Sequence, residues 1–250
     1  MRAKRVLLID GDVVAYKTAC ATEKATHWGD DIWTLHCDAQ EARGYAEGLM
    51  MDYLTELEAD EYRIALSDIS NFRKRINPDY KSNRKNRRKP LCYNEIKLWM
   101  RVSQGACILP TLEADDLLGI WATEDTTEDR IIVSIDKDFK TIPSKRWNPD
   151  KPEEGVLQQT KEQANYFHLI QTLAGDSTDG YTGVPRVGPV TADRILGGEC
   201  SWEKVVEAYE EYGLNEDVAL MNARMARILR NGEWKSKTGA KLWTPQNLLD

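Results

Sequence analysis

The chain has 250 residues, 41% of them hydrophobic, with a formal net charge of −7. That length suits one large domain or a main domain with a smaller appendage, and the apolar fraction argues against disorder. No apolar run approaches the roughly 18 residues of a membrane span, and the opening stretch "MRAKRVLLIDGD" is too short and too charged for a secretory signal, so a cytoplasmic protein is expected. The five cysteines (Cys20, Cys37, Cys92, Cys107, Cys200) are odd in number and scattered. They predict reduced thiols, not a disulfide framework.

"KRVLLID" reads as a short buried strand ended by Asp10-Gly11-Asp12. "DAQEARGYAEGLMMDYLTEL" reads as a helix: Asp38 and Glu41 make a capping-box pattern, and Ala42, Tyr45, Leu49, Tyr53 and Leu57 recur at helical spacing. "YRIALSD" predicts a second strand, and a mixed helix runs through "YNEIKLWMRVSQ". "ACIL" predicts a brief third strand, "EADDLLGIWATE" a helix and "DRIIVSIDKDF" the clearest strand. Strands alternating with helices favour a mostly parallel sheet. Residues 144–159 are polar and close a first module. Thr160 and Gln163 open a helix reaching Ala174, and Gly183 to Pro189 form a Gly/Pro turn before a helix ended by Gly197-Gly198. The remainder reads as helical, with a basic, Trp-containing tail.

The acidic residues carry the chemistry. Asp10, Asp12, Asp68, Glu113, Asp115, Asp116, Asp136, Asp138, Asp176 and Asp179 all fall at expected strand or helix ends. Ligands of parallel α/β sheets sit beyond the carboxyl ends of the strands. Two carboxylates 4 Å apart repel by about 4 kcal/mol at an effective dielectric of 20, a cost tolerated when they protonate or when a cation lies between them. Hard divalent ions take oxygen ligands, and two of them can drive phosphodiester hydrolysis without a Ser, Cys or His nucleophile. The plain alternative is a set of surface caps. Glu113 and Asp116 are spaced to share a helix face, which turns Asp115 elsewhere. Cys20, His27, His36 and Cys37 lack zinc-ligand spacing, and His168 reads as a packed helix residue.

Residues 73–89, "RKRINPDYKSNRKNRRK", hold nine Lys or Arg and one Asp on a net-negative chain. Basic side chains neutralise phosphates, and Tyr80 can stack on an unpaired base. "GVPRVGP" resembles a helix–hairpin–helix turn, whose glycines bare backbone N–H groups to a phosphate. Two rival readings compete: a haloacid dehalogenase-type phosphatase, from Asp10-Gly11-Asp12, and a DNA-binding scaffold without catalysis.

Taken together, "DGD" at 10–12, "FRKRINPDYKSNRK" at 72–85, "EADD" at 113–116, "DKDFKTIP" at 136–143, "GDSTDGYTG" at 175–183 and "MARILR" at 225–230 resemble the flap endonuclease and 5′-nuclease family. Within it the chain is most similar to the 5′→3′ exonucleases of T-seven-type phages, and Gly180 after Asp179 has their character. The resemblance implies a PIN-like α/β nuclease domain over 1–158 with an arch around 73–105, and a helix–three-turn–helix DNA-binding region over 159–250. It implies two Mg²⁺ ions, replaceable by Mn²⁺. Asp10, Asp68, Glu113, Asp115 and Asp116 would serve the first, and Asp136, Asp138, Asp176 and Asp179 the second. Lys81 and Arg84 would contact the scissile phosphate. Arg73, Tyr80, Gly183, Val184, Arg186 and Gly188 would join them in binding DNA, with K⁺ held by carbonyls at the hairpin. The implied activity is 5′→3′ degradation of double-stranded DNA, flap cutting and removal of RNA from RNA–DNA hybrids during phage replication and recombination. A phage single-stranded-DNA-binding protein or polymerase would be the partner.

Overall fold

The computed structural model describes residues 2–84 and 87–248. Lys85 and Asn86 of the basic segment lie outside the described residues. In chain order the elements are β1 (Arg5–Asp10), α1 (Gly11–Thr22), β2 (Lys24–His27), β3 (Trp33–His36), α2 (Ala39–Glu56), β4 (Glu61–Ala65), α3 (Arg73–Ile76), α4 (Tyr93–Ser103) and α5 (Ala114–Ala122). Then come β5 (Asp129–Val133), β6 (Lys145–Trp147), β7 (Leu157–Gln158), α6 (Lys161–Ala174), β8 (Gly175–Asp176), β9 (Tyr181–Thr182), α7 (Pro189–Leu196), α8 (Trp202–Glu210), α9 (Glu216–Ala226), β10 (Trp234–Lys235) and β11 (Gly239–Ala240).

The central sheet has the order β4-β1-β5-β6-β7. All its pairings are parallel except β6 with β7. Alternate side chains of a strand face opposite sides. Leu7 and Ile9 accordingly pack under α1, α2 and α4, while Val6 and Leu8 pack against α5. Each fully buried Leu or Ile contributes about 1.5–3 kcal/mol. Helices on both faces make the α/β architecture expected from the alternation of elements. A separate cluster of α6 to α9 residues, among them Leu173, Leu196, Tyr209 and Ala223, forms a second core. Among the described residues no helix is long and apolar enough to cross a membrane.

Several local expectations are corrected. "ACIL" is not a strand: Cys107 makes a lone bridge to Ala65, because Gly105 turns the chain in and Pro110 ends the pairing. The "polar" module end contains β6 and β7. The α2 stripe is Ala42, Ala46, Met50 and Tyr53, not one through Tyr45, which is exposed. Small alanines let the helix approach the core, a signal that counting large apolar residues misses. The hairpin β2–β3 carries exposed Trp28 and Trp33 and lacks the alternation that marks a half-buried strand. Cys37 and Cys92 form a disulfide, with Cα atoms 6.2 Å apart. The ends of α2 and α4 bring together two cysteines that lie 55 residues apart in sequence.

Candidate active site

The carboxyl ends of β1, β4 and β5 and the N-terminus of α5 open onto one cleft of about 1500 Å³. Asp10, Asp12, Asp68, Glu113, Asp115, Asp136, Asp138 and Asp179 line it. Asp10 ends β1 and caps α1, its Oδ1 accepting from the Val13 N–H at 3.1 Å and its Oδ2 from the Ser134 hydroxyl at 3.1 Å. Asp136 caps the short turn after β5 by accepting from the Asp138 N–H at 2.8 Å. Each acid thus has a local capping or turn role, yet the fold collects them in one place.

Their electrostatics fall into two groups. Burial, then Asp12 and Asp136, pushes the Asp10 carboxyl up to about 7. Burial with Asp10 and Asp136 raises Asp115 well above the ordinary range. Burial and Asp136 push Asp138 up to about 7, with Asp176 and Asp179 adding to it against Lys137. Glu113 behaves oppositely: burial works to raise it, but Lys81 and Arg73 outweigh burial and hold it at about 2. The Lys81 ammonium lies 2.6 Å from Glu113 Oε1, and the Arg84 guanidinium 2.5 Å from Asp179 Oδ1. Burial raises Asp179 overall, against Lys81 and Arg84.

Asp68 also faces the cleft, but its oxygens accept from Ser70 Oγ and from the N–H groups of Ile69 and Thr111. The Ser70 hydroxyl, followed by the Thr111 N–H, holds its pKa down. Asp12 pairs with Lys97 of α4 at 2.6 Å. Asp176 accepts from the Thr178 N–H at 2.8 Å and lies 3.3 Å from Lys137. Among the described residues no three acidic, His or Cys side chains already close around an ion position. The set is an open one, clustered but not pre-shaped.

Five residues, Asp116, Arg73, Tyr80, Val184 and Gly183, stand apart from the positions that the resemblance implied. Asp116 is fully buried, and both its oxygens meet Arg73, at 2.7 Å each. Its neighbour Asp115 turns to the cleft instead, because Glu113 is the N-cap in extended geometry and the regular helix begins after it. Arg73 is 3% exposed and also bonds the backbone oxygens of Met225 and Arg227, so it is out of reach of DNA. Tyr80 is likewise 3% exposed, its ring packed with Tyr181 and Met225 and its hydroxyl on Glu113 at 2.8 Å. A buried ring cannot stack on a base. Val184 belongs to the second core.

The Gly183–Pro189 turn follows the β8–β9 hairpin. Gly183 is buried where a Cβ would lie 2.1 Å from the Leu173 carbonyl. Arg186 and Gly188 remain exposed, with Gly188 at the N-cap of α7. Gly180 has φ +79°, and its α-carbon faces the Asp79 carbonyl. There the 176–180 loop meets the basic segment, through the Lys81 N–H and Asp179 carbonyl at 2.8 Å. The sequence reading passed over Tyr93, Lys97 and Arg101, which line the cleft from α4. Their spacing of four residues was the signal.

Comparison with known proteins agrees with this geometry. Residues 5–165 match the family described as 5′-3′ exonuclease, N-terminal resolvase-like domain. The chain is 31% identical to the exodeoxyribonuclease of Enterobacteria phage T3, across 98% of this chain and 94% of that protein. It is 30% identical to the exonuclease of Escherichia phage T7, across 92% and 90% respectively. The fold is shared with the bacteriophage T5 flap endonuclease solved in a pseudo-enzyme–product complex with DNA and metal ions. That likeness has a TM-score of 0.64 at 13% identity and covers 89% of each chain. The chain therefore belongs to the 5′-3′ exonuclease family, whose exonuclease and flap endonuclease members make it a phosphodiester-cleaving enzyme.

Proposed function

We propose that the protein is a divalent-metal-dependent 5′→3′ nuclease of double-stranded DNA that also cuts 5′ flaps and removes RNA from RNA–DNA hybrids. One observation carries this reading: Asp10, which is buried, and Asp115 and Asp138, which are half-buried, share one cleft beside the cationic Lys81 and Arg84, and desolvation and neighbouring carboxylates disfavour the charged form of all three. Crowded, desolvated carboxylates either protonate or take a cation. Oxygen-only donors in an open set suit Mg²⁺, which keeps several waters, and Mn²⁺ after it. Asp10, Glu113, Asp115 and Asp136, with Asp68 at the rim, would hold one ion. Asp138, Asp176 and Asp179 would hold a second. Bound there, such ions supply an activated water and neutralise a leaving oxygen.

The chain's own residues do the rest. Lys81 and Arg84, now bonded to Glu113 and Asp179, exchange those partners for the scissile phosphate and stabilise the charge that develops on it. Arg87, Arg88, Lys89, Lys97 and Arg101 on the cleft wall draw in and orient the strand. Of the arch implied around residues 73–105, the described cleft-lining residues Lys81, Arg84, Arg87, Arg88 and Lys89 would face that strand, while Arg73 and Tyr80 are buried beneath it. The helical region from residue 159 onward would grip the duplex, with Arg186 and the α7 N-terminus towards its backbone, and the carbonyls of the Gly183–Pro189 turn would hold K⁺. The role we assign is in phage replication, primer removal and recombination; what supports it is similarity to proteins named as exonucleases of phages T3 and T7. The Asp10 carboxylate, 3% exposed and hydrogen-bonded at both oxygens, is a poor candidate for a phosphatase nucleophile.

The test is a side-by-side digestion of 5′-labelled blunt duplex, 5′-flap DNA and RNA–DNA hybrid with Mg²⁺. All three are cut, and EDTA or Asp136→Ala abolishes cutting. Undiminished cleavage in EDTA overturns the metal mechanism.

A further inference from the structure

We propose that Gln171 is a positioning residue of the cleft, holding the Asp138 side chain in place from α6. The inference rests on the reading of Asp138 as a metal ligand. The Gln171 Nε2 donates to Asp138 Oδ1 at 2.5 Å. A carboxylate accepts only from the NH₂ end of an amide, which fixes the orientation of the Gln171 side chain.

The backbone around Asp138 is secured without Gln171. The Asp138 N–H donates to Asp136 Oδ1 at 2.8 Å, and the Asp138 carbonyl accepts from Thr141 Oγ1 at 2.7 Å. Neither bond restrains the direction of the carboxylate. Among the described residues, Gln171 gives that carboxylate its hydrogen-bond donor.

The fold gives no other reason for a glutamine at 171. The residue is 6% exposed and packs within a helix face that also buries His168, Leu169 and Thr172. Its Oε1 is buried with no partner. An idle buried acceptor is a liability that an apolar side chain of similar shape avoids. The position is therefore explained by the bond to Asp138. Partners of ligating carboxylates act in this way, and losing one typically costs about 10–100-fold in metal affinity or activity.

The same helix leads through Gly175 into Asp176. The docking of α6 thus sets two acids together: Asp138 through the Gln171 amide, and Asp176 through the helix end. Sequence spacing alone gives no hint of this, since the neighbours of Asp138 and Gln171, Phe139 on one side and Leu169 and Leu173 on the other, belong to different cores.

The experiment measures Mn²⁺ binding to the full chain without DNA, by calorimetry, for wild type, Gln171→Met, Gln171→Asn and Asp138→Ala. Gln171→Met keeps the length and removes the donor. Gln171→Asn keeps the amide and shortens its reach. Both are expected to weaken the Mn²⁺ class that Asp138→Ala removes, by about 10–100-fold. kcat falls to a similar degree while KM for duplex DNA stays unchanged, and the melting temperature of Gln171→Met in EDTA does not drop. A purely structural role would lower the melting temperature and leave Mn²⁺ affinity alone. If Asp138→Ala loses Mn²⁺ and either folded Gln171 variant binds it as wild type does, the positioning role is wrong. If Asp138→Ala itself binds Mn²⁺ as wild type does, the ligand reading fails and this proposal fails with it.

Discussion

Arg73 and Asp116 are locked together inside the protein by two parallel hydrogen bonds, each 2.7 Å long. The same guanidinium reaches Glu113 at 3.2 Å and the carbonyl of Arg227 at 2.5 Å. One buried cation therefore ties the start of the basic segment to the mouth of α5 and to the chain after α9. Breaking a buried pair strands a charge and costs about 3–5 kcal/mol. Arg73→Met and Asp116→Ala should each lose about that much in urea unfolding. Salt-dependent DNA affinity of whatever remains folded should be unchanged, since neither residue reaches the surface.

Asp10 offers the reverse case. Its charged form is disfavoured by burial and by Asp12. Asp10→Asn should melt at a higher temperature than wild type in EDTA and have no detectable nuclease activity. Scanning calorimetry and a digestion assay read the two effects. A lower melting temperature would show that the carboxylate is a stabilising element, not a group held ready for a cation.

The pH dependence of metal-free stability carries two opposing signatures. Asp10 and Asp138 are raised from 3.8 to about 7, so between those values the folded chain binds more protons than the unfolded one. Their contribution is complete below 3.8 and is lost as pH rises through about 7. His168 works the other way. Burial, then Arg227, lowers it from 6.5 to about 3, so the unfolded chain binds the extra proton. Stability from His168 is complete above 6.5 and is lost as pH falls towards 3. Its Nε2–H donates to the Ala223 carbonyl at 2.8 Å, while Nδ1 has no partner. His168→Phe should flatten the acid limb of a stability profile, and Asp10→Asn the limb approaching neutrality.

Gly180 supports the loop that carries Asp179. A side chain there would meet left-handed backbone at φ +79° and the Asp79 carbonyl 3.0 Å away. Placing an L-residue in that conformation costs roughly 1–2 kcal/mol. Gly180→Ala should lose that much stability in urea and lower kcat, because Asp179 and Lys81 share the disturbed contact. Equal kcat would separate the loop from the chemistry.

Arg186 is exposed just before α7. Arg186→Ala should weaken binding about equally across duplex sequences. It should also reduce the slope of log affinity against log salt by roughly 0.9. An unchanged slope would remove this turn from the DNA-binding surface.

Much of the fold was legible from residue patterns, and the reasons are local. β1, β4 and β5 are aliphatic runs closed by charge, and the caps Asp38 and Thr160 sit where helix-start rules put them. β2 and β3 were not legible, since their side chains are largely exposed and leave no periodic mark. The acids at strand ends were legible as a set because sheet topology sends every parallel strand end to the same edge. Which of Asp115 and Asp116 faces the cleft was not. That depends on Glu113 standing outside the helix as its N-cap, a single-residue matter that spacing does not resolve. The burial of Tyr80 and Arg73 was hidden by the charge of their neighbours. A basic run reads as solvated until α9 is seen to cover it.

The most direct test is a Mg²⁺ titration of the DNA-free protein, followed by calorimetry below neutral pH in two buffers of different ionisation enthalpy. Ligands must shed protons to bind a metal. The account predicts saturable Mg²⁺ binding with net proton release, both lost in Asp10→Asn and Asp138→Asn. Mg²⁺ binding that releases no protons, or that survives both substitutions unchanged, would contradict it.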